Sequence, residues 1–184
     1  MNNSEVRQMM LDASVEGERH LWNSEVEVCE LVGNLVALTQ AKRVLEIGVF
    51  QGLTSEEIIK RLPENSYFAG IDIEDFRLST HNWVGQPTRA CDFILGSSAN
   101  PKTYRQFEDK FDFIFVDSMH YWEHIYAEWK QVEQVLADGG TVVYHDTIHI
   151  ADVARLMEYI KGFEYNVLTL NTPDNRGLTI ITRK

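Results

Sequence analysis

The sequence predicts an α/β protein whose doubly wound, mostly parallel seven-stranded sheet ends in an antiparallel β-hairpin. From residue 43 onward, short apolar runs typical of buried strands alternate with helical segments, and this alternation builds parallel sheets covered by helices. Near the C-terminus, two strand-like runs at 164–170 and 178–182 have only a turn with Pro173, Asp174 and Gly177 between them. Strands joined by such a turn pair antiparallel, which predicts the closing hairpin.

The predicted elements follow one another along the chain in this alternating order. Strands are expected at 44–47, 67–71, 91–95, 111–116, 141–144, 164–170 and 178–182. A helix begins near Thr54, and further helices are expected at 74–83, 121–136 and 150–161. Residues 41–184 are therefore expected to form one domain around the sheet.

Two helices are predicted before the first strand, at 4–20 and 24–39. The second has a broad apolar face, and Ser24 with Glu27 matches the capping-box pattern of a helix start. Residues 1–40 are thus expected to form an N-terminal helical extension that either packs on the core or covers the ligand site.

The composition argues against several classes of partner. The chain of 184 residues has a formal net charge of −11, which repels nucleic-acid phosphates and favours a small-molecule partner. No apolar run approaches the ~18 residues of a membrane span, and the polar, acidic N-terminus does not resemble a signal peptide. Cys29 and Cys91 match no metal-binding or disulfide spacing, so a reduced, cytoplasmic location is expected. Little chain is left for a large substrate lid, so either the first two helices or a second subunit would cover the site, and the second alternative implies a homodimer.

Polar residues stand at the carboxyl ends of the predicted parallel strands. In an open α/β sheet, ligands bind outside those ends. The residues expected at this edge are Glu46, Gly48, Asp72, Ser97, Ser98, Asp117, His145 and Asp146. The sequence therefore predicts one ligand site along this edge of the sheet.

The turn after the first strand carries the pattern Glu46-x-Gly48-x-x-x-Gly52. It differs from the G-x-G-x-x-G fingerprint of dinucleotide-binding proteins, and Asp72 follows Gly52 after twenty residues, at the tip of the second strand. Together these residues resemble the first motifs of class I S-adenosylmethionine-dependent methyltransferases, and the resemblance implies a Rossmann-like methyltransferase fold. The alternative is a plain strand-to-helix turn that needs glycine for its backbone.

The resemblance also implies how S-adenosylmethionine would be held. Glu46 and Gly48 would surround the methionine portion, and Gly52 would let the helix start approach the ligand closely. Asp72 would bind the ribose hydroxyls, with Ile73 beside the adenine. The remaining residues implied near the cofactor are Phe50, Ser97, Ser98 and Asp117.

A second block of residues begins at Asp117. This block resembles the pattern D-G-x-H-x-Y-E-x-V…GG…HD. The matching residues are Asp117-Ser118-Met119-His120, the helix that follows them, Gly139-Gly140 and His145-Asp146. This pattern belongs to a small-molecule branch of the class I methyltransferases that includes O-methyltransferases and cephalosporin-hydroxylase-like proteins. Ser118 replaces the glycine of that pattern, and Trp122 replaces its tyrosine. The resemblance implies O-methylation of a small-molecule hydroxyl group.

Methyl transfer to a hydroxyl group requires the acceptor oxygen to be aligned with the methyl group and its proton to be removed. A divalent cation can do both, and Asp117, His145 and Asp146 are the candidate ligands. Their carboxylates suit Mg²⁺, while the imidazole widens the choice to Mn²⁺. His120 is the candidate general base because its free pKa lies near neutrality, with Asp117 as its catalytic partner.

Each of these residues also has a structural explanation. Asp117 could cap the helix that starts near Tyr121, and Asp146 could cap the next helix. His120 could be an ordinary histidine on a first helical turn. At the level of function, the alternatives are a non-catalytic protein that binds S-adenosylmethionine or its demethylated product, and a metal-dependent enzyme of the same fold with different chemistry.

Overall fold

The computed structural model describes residues 23–77 and 90–183, and these residues form the predicted α/β fold. Seven strands make one sheet in the order β3-β2-β1-β4-β5-β7-β6. The strands are β1 Arg43–Ile47, β2 Tyr67–Asp72, β3 Ala90–Leu95, β4 Phe111–Val116, β5 Leu136–His145, β6 Tyr165–Leu170 and β7 Leu178–Arg183. The helices are α1 Val26–Thr39, α2 Leu53–Arg61, α3 Trp122–Val135 and α4 Ala151–Lys161, with a short 3₁₀ helix at Pro101–Tyr104.

The sheet topology confirms the predicted class. Strands β1 to β5 pair parallel, whereas β7 pairs antiparallel with both β5 and β6. The strand order reverses between β1 and β4, so the loops that follow these two strands lie side by side. The N–H of Asp117 donates to the carbonyl of Ile47 at this point (2.8 Å). Such a switch point is where open α/β sheets bind ligands.

The core lies on both faces of the sheet because the central strands are apolar throughout their length. On one face, Val32 and Val36 of α1 and Ile58 of α2 are completely buried against the sheet. On the other face, Trp129 of α3 and Leu156 of α4 are buried in a second cluster. Since α1 contributes to this core, the described part of the N-terminal extension packs on the sheet. No helix among residues 23–77 and 90–183 is long and apolar enough to cross a membrane.

Most predicted boundaries agree with the structure within one or two residues, but β5 is longer than the sequence indicates. The run 141–144 predicts four residues, whereas the strand covers Leu136–His145 and includes the two glycines. Its pairing with β4 shifts register between Phe111 and Phe113. An irregular ladder of this kind admits Gly139, whose φ is 75°.

The predicted start of the second helix is wrong, and two other predicted helices lie wholly or partly outside the described residues. Helix α1 begins at Val26 with Glu25 at its cap position and no side-chain cap, so the Ser24–Glu27 capping box is wrong. Ser24 instead donates a hydrogen bond to the ligand edge of the sheet. The predicted helix at 4–20 and residues 78–83 of the one at 74–83 lie outside the described residues, and residues 74–77 are not helical.

Candidate active site

Two glycines shape the loop between β1 and α2. Gly48 has a φ of 85° and Gly52 a φ of 84°, in the left-handed region that favours glycine. A Cβ atom on Gly48 would lie 2.1 Å from the carbonyl oxygen of Asp117 in the neighbouring loop. Gly52 occupies the cap position of α2. The close approach of the two loops therefore requires glycine at position 48.

Asp72, the predicted ribose ligand, ends β2 and contacts the same glycine loop. Its Oδ2 accepts hydrogen bonds from the N–H groups of Val49 (2.9 Å) and Phe50 (2.8 Å), and its Oδ1 accepts one from Ile73 (2.7 Å). Burial raises the pKa of Asp72 although these N–H groups act to lower it. The carboxylate thus fixes the shape of the loop, and ribose binding would use the lone pairs left on its oxygens.

The two apolar residues predicted at the cofactor flank Asp72 and the loop. Ile73 is 56% exposed, so its side chain is accessible to a ligand. Phe50 has a φ of 46°, and its ring packs on Phe76 with 5.9 Å between centroids. Both residues lie at the carboxyl edge of the sheet, as the sequence predicts.

Glu46 is buried inside the strand-to-helix unit. Its carboxylate accepts a hydrogen bond from the hydroxyl of Ser55 in the first turn of α2. Burial raises the pKa of Glu46 well above its usual range, and the nearby carboxylates of Asp117 and Asp72 act in the same direction. Glu46 therefore ties β1 to α2, and its contact with a methionine group stays a prediction.

The two serines after β3 form hydrogen bonds with different partners. The carbonyl of Ser97 accepts a hydrogen bond from the Thr103 hydroxyl (2.8 Å), whereas the hydroxyl of Ser98 donates to Oε2 of Glu128 on α3 (2.5 Å). Ser118 donates to the same oxygen (2.6 Å). Glu128, which the sequence did not single out, therefore joins the loops after β3 and β4, and the adenine contact of Ser98 stays a prediction.

Asp117, His120 and Asp146 converge at the ends of β4 and β5. One nitrogen or oxygen atom from each of the three lies within 4.8 Å of the others. Nε2 of His120 is 3.5 Å from Oδ1 of Asp117 and 3.5 Å from Oδ2 of Asp146. This nitrogen is buried and forms no hydrogen bond with the described residues. The cluster therefore offers two carboxylates and one imidazole to a common centre.

His145 belongs to the metal set that the sequence predicts, but both of its ring nitrogens are already engaged. Nδ1 lies 3.0 Å from Oδ2 of Asp117, and Nε2 lies 2.9 Å from Oε2 of Glu25. Its side chain is completely buried. In this arrangement Nε2 of His120, which the sequence assigns as a general base, forms no hydrogen bond with the described residues, while His145 holds Asp117 in place.

The charges of this cluster determine its pKa values. Burial would raise the pKa of Asp117, but the imidazoles of His145 and His120 hold it well below the usual range. Burial would lower the pKa of His145, yet the Asp117 carboxylate raises it to about 9. Burial would lower the pKa of His120, but the carboxylates of Asp117 and Asp146 outweigh it and raise the pKa. At neutral pH the imidazole of His145 therefore favours the protonated form.

Three consecutive residues before α1 contact three parts of this edge. The side-chain amide of Asn23 donates to Gln51 of the glycine loop (2.5 Å), and the hydroxyl of Ser24 donates to Oδ2 of Asp117 (2.6 Å). Glu25 contacts His145. All three side chains are buried. No sequence pattern identifies these contacts, because each joins residues far apart in the chain.

The turn between β6 and β7 supplies the remaining contacts. The hydroxyl of Thr172 donates to Oε1 of Glu25 (2.8 Å). Arg176 binds both oxygens of Asp146, with Nε 2.7 Å from Oδ1 and Nη2 3.1 Å from Oδ2. The sequence predicts only a turn here, and a lone arginine in a polar turn gives no further signal.

These contacts rule out the capping explanations for the two aspartates. The first N–H of α3, at Trp122, is satisfied by the carboxylate of Asp152 (3.0 Å) and not by Asp117. The cap position of α4 is Ile150, without a side-chain cap. Because the side chain of Asp146 binds Arg176, it does not cap that helix.

A small pocket that is open to solvent adjoins the cluster. The residues that line it include Ser118, Met119, His120, Glu128, Tyr144 and His145. Oε1 of Glu128 and the hydroxyl of Tyr144 are buried and have no hydrogen-bond partner among the described residues. The pocket therefore has a polar wall on the side of α3 and β5.

The proteins that resemble this chain in sequence include a plant O-methyltransferase. The chain is 27% identical over 169 residues to tricin synthase 1 of Oryza sativa subsp. japonica. The aligned residues cover 79% of this chain and 62% of that protein. It is 26% identical over 174 residues to caffeoyl-CoA O-methyltransferase 2 of Petunia hybrida, covering 83% of this chain and 69% of that protein. The chain thus spans somewhat under two thirds of the first relative's length.

Solved structures show the same fold. The O-methyltransferase TomG of Streptomyces achromogenes, in complex with S-adenosylmethionine, has a TM-score of 0.73 at 18% identity, over 100% of this chain and 91% of that one. The O-methyltransferase of Bacillus cereus, in complex with SAH, has a TM-score of 0.71 at 14% identity, over 98% and 90%. These likenesses confirm the Rossmann-like architecture.

A family model described as a methyltransferase domain matches residues 45–147. That segment runs from β1 through the glycine loop, Asp72 and Asp117 to the residue after Asp146, so it contains both blocks on which the sequence resemblance depends. The match covers more than half of the chain, and this protein therefore belongs to the methyltransferase-domain family.

Proposed function

We propose that this protein transfers the methyl group of S-adenosylmethionine to a hydroxyl group of a small molecule, with the assistance of a divalent cation. The observation that carries this proposal is the contact between the glycine loop and the loop of Asp117 at the switch point of the sheet. A cofactor bound on the first loop would meet an acceptor held at the second. The names of the relatives, which are O-methyltransferases, support oxygen as the acceptor atom.

The cofactor would lie along the ends of β1, β2 and β3. Asp72 offers two carboxylate oxygens to the ribose hydroxyl groups, and the exposed side chain of Ile73 offers an apolar surface to the adenine. The buried Glu46 sets the position of the first turn of α2. Ser97 completes the adenine side, whereas Ser98 acts through Glu128.

The residues at the ends of β4 and β5 fit a divalent cation. The oxygen and nitrogen atoms of Asp117, His120 and Asp146 lie within 4.8 Å of one another, close to the ~4 Å between opposite ligands of an ion bound at about 2.1 Å. The donor nitrogen of His120 has no other partner among the described residues. Two carboxylates with an imidazole suit Mn²⁺ better than Mg²⁺, which prefers oxygen ligands alone.

When bound, the cation would lower the pKa of an acceptor hydroxyl and orient it. The contribution of the protein is then to hold the ligands in place: His145 and Ser24 fix Asp117, and Arg176 fixes Asp146. His120 cannot both bind a cation and accept the acceptor's proton through the same Nε2. If methyl transfer proves independent of metal, His120 takes the general-base role instead.

The acceptor is proposed to be a small molecule because the net charge of −11 disfavours nucleic acid. Met119, Tyr121 and Ile148 are 40%, 51% and 43% exposed in the loops after β4 and β5. These side chains offer an apolar surface beside the cation ligands, which fits an acceptor with an aromatic or aliphatic body. A cytoplasmic location and a homodimer stay predictions from the sequence.

The first test is isothermal titration with S-adenosylhomocysteine. We expect micromolar binding by the wild type and a loss of at least tenfold in Asp72→Ala, because a ribose hydrogen bond to a charged group is lost. Asp112→Ala is the matched control, since Asp112 also accepts two backbone hydrogen bonds, from Lys42 and Arg43, but at the opposite edge of the sheet. Equal binding by Asp72→Ala and the wild type would contradict the cofactor assignment.

The second test separates catalysis from binding. Methyl transfer from labelled S-adenosylmethionine to a panel of phenols and catechols, with Mn²⁺ or after chelation, should require an intact Asp117. Binding of S-adenosylhomocysteine without transfer to any acceptor, in a protein loaded with Mn²⁺, would favour a non-catalytic binding protein instead.

A further inference from the structure

Arg176 places a permanent positive charge directly beside the proposed cation ligands. Its Nε and Nη2 bind the two oxygens of Asp146 as a fork, at 2.7 and 3.1 Å. Its Nη1 donates to the carbonyl of Asn23 (3.0 Å) and lies 3.7 Å from Oε2 of Glu25. The Asp146 side chain is only 3% exposed and that of Arg176 18%. The guanidinium is thus held on three sides and cannot turn away freely.

This fork uses the carboxylate that a cation would also use. The Asp146 oxygen bound by Nη2 is Oδ2, which is also the oxygen 3.5 Å from Nε2 of His120. A cation bound between Asp117, His120 and Asp146 would therefore share an oxygen with the guanidinium. Two positive charges that share one carboxylate oxygen repel each other strongly in a buried site, because screening by water is weak there.

The backbone of Asp146 is held by hydrogen bonds that do not involve the Arg176 side chain, although the Arg176 carbonyl accepts from the N–H groups of Ile148 and His149. Asp146 has a φ of 58°, and its carbonyl accepts a hydrogen bond from the N–H of Ile150 (3.1 Å). The next residue, Thr147, donates from its N–H to the carbonyl of Gly177 (3.3 Å). These bonds hold the backbone of Asp146 in its turn when the arginine side chain is replaced, so a variant of that side chain tests the carboxylate contact itself.

We propose that Arg176 acts as an internal counter-ion that weakens cation binding until an anionic acceptor joins the site. This inference rests on the proposed metal-assisted function. The cation alone would be repelled by the guanidinium, whereas a cation that carries an ionised acceptor hydroxyl brings a negative charge with it. Arg176 would thereby make the binding of cation and anionic acceptor cooperative.

The opposing explanation is that Arg176 is only a clamp for Asp146. Residues that hydrogen-bond a metal ligand commonly raise metal affinity, and their loss costs 10–100-fold. The two explanations predict opposite effects when the charge is removed. The two explanations also predict different effects of Arg176→Lys, because lysine keeps the charge of arginine but cannot form the same two-pronged hydrogen bond.

The test is a titration of the full chain with Mn²⁺ after chelation, followed by the electron paramagnetic resonance signal of free Mn²⁺, with and without catechol as the diol probe. The variants are Arg176→Gln and Arg176→Lys, with Arg183→Gln as control. Arg183 also binds a carboxylate and a backbone carbonyl, those of Asp138 and Glu133, away from the site. Circular dichroism verifies that each variant is folded.

For the wild type, we expect weak Mn²⁺ binding that catechol strengthens. Arg176→Gln should bind Mn²⁺ about tenfold more tightly without catechol, and catechol should strengthen its binding less. Arg176→Lys and Arg183→Gln should behave like the wild type. If Arg176→Gln does not fold, Arg176→Lys still distinguishes the two explanations. If Arg176 is a clamp, this substitution lowers the affinity for Mn²⁺, whereas if it is a counter-ion, the affinity is unchanged.

Weaker Mn²⁺ binding by both Arg176 variants would overturn the proposal in favour of a clamp. Failure of every protein to bind Mn²⁺, even with catechol, would overturn it as well. Titration of the same proteins with S-adenosylhomocysteine keeps these failures separate from that of the methyltransferase proposal, because its cofactor residues do not contact Arg176.

Discussion

The imidazole of His145 should make the stability of this protein fall as the pH rises above neutrality. Its pKa is about 9 in the folded protein and 6.5 in a free side chain, because the Asp117 carboxylate outweighs the effect of burial. The folded state therefore binds this proton more tightly than the unfolded state does. The resulting stabilisation is fully present below pH 6.5 and is lost as the pH rises to about 9. A difference of roughly 2.5 pH units corresponds to about 3 kcal/mol.

Urea denaturation followed by circular dichroism, between about pH 6 and pH 9.5 in the presence of EDTA, measures this effect. The chelator is needed because a bound cation would replace protons in the cluster. The free energy of unfolding of the wild type should fall by about 3 kcal/mol across the window. His120→Gln should keep most of this fall, although the raised pKa of His120 adds to it in the same direction. His145→Gln should remove most of it.

Two outcomes would refute this reasoning. A wild-type free energy of unfolding that stays constant from about pH 6.5 to pH 9 would mean that the imidazole is neutral throughout. An unchanged slope in His145→Gln would mean that another group releases the proton. Either result would also remove the charge that holds the pKa of Asp117 low.

Further changes test the glycine loop and the buried Glu128. Gly48→Ala and Gly139→Ala both place alanine at a positive φ, which costs about 1–2 kcal/mol, but only at Gly48 would the Cβ collide with a neighbouring loop. Gly48→Ala should therefore lose several kcal/mol in urea denaturation, together with S-adenosylhomocysteine binding, and equal losses in the two variants would contradict this. Ser118→Gly restores the residue of the family pattern and removes one hydrogen bond to Glu128, so it should cost about 1–3 kcal/mol. An unchanged melting temperature would show that the hydroxyl of Ser98 alone suffices for Glu128.

The sequence predicts the fold of this protein well because both of its main signals are local. Apolar runs such as 111–116 mark buried strands wherever they occur, and the order of strands and helices limits the topology. The same holds for Gly48, Asp72 and Asp117, which lie at strand ends. The prediction for β5 is too short, because glycines usually end a strand and here Gly139 and Gly140 form part of an irregular one.

The sequence is a poorer guide to which of these residues contact one another. His120 and His145 are both histidines near a strand end. Nothing local distinguishes the ring whose Nε2 forms no hydrogen bond with the described residues from the ring whose two nitrogens are hydrogen-bonded. That difference depends on Glu25, which is 120 residues away from His145. Arg176 and Glu128 likewise acquire their roles through long-range contacts, and such contacts leave no periodic or motif signal in a single sequence.

The short polar segment of Asn23, Ser24 and Glu25 has a consequence for protein engineering. The segment matched by the methyltransferase-domain family, residues 45–147, includes neither these residues nor Arg176. A fragment trimmed to that segment would keep Asp117, His145 and Asp146 but lose the partners that neutralise and orient them. Chimeras with related enzymes should therefore join upstream of Asn23 and retain the final hairpin, since the smallest working unit is larger than the family segment.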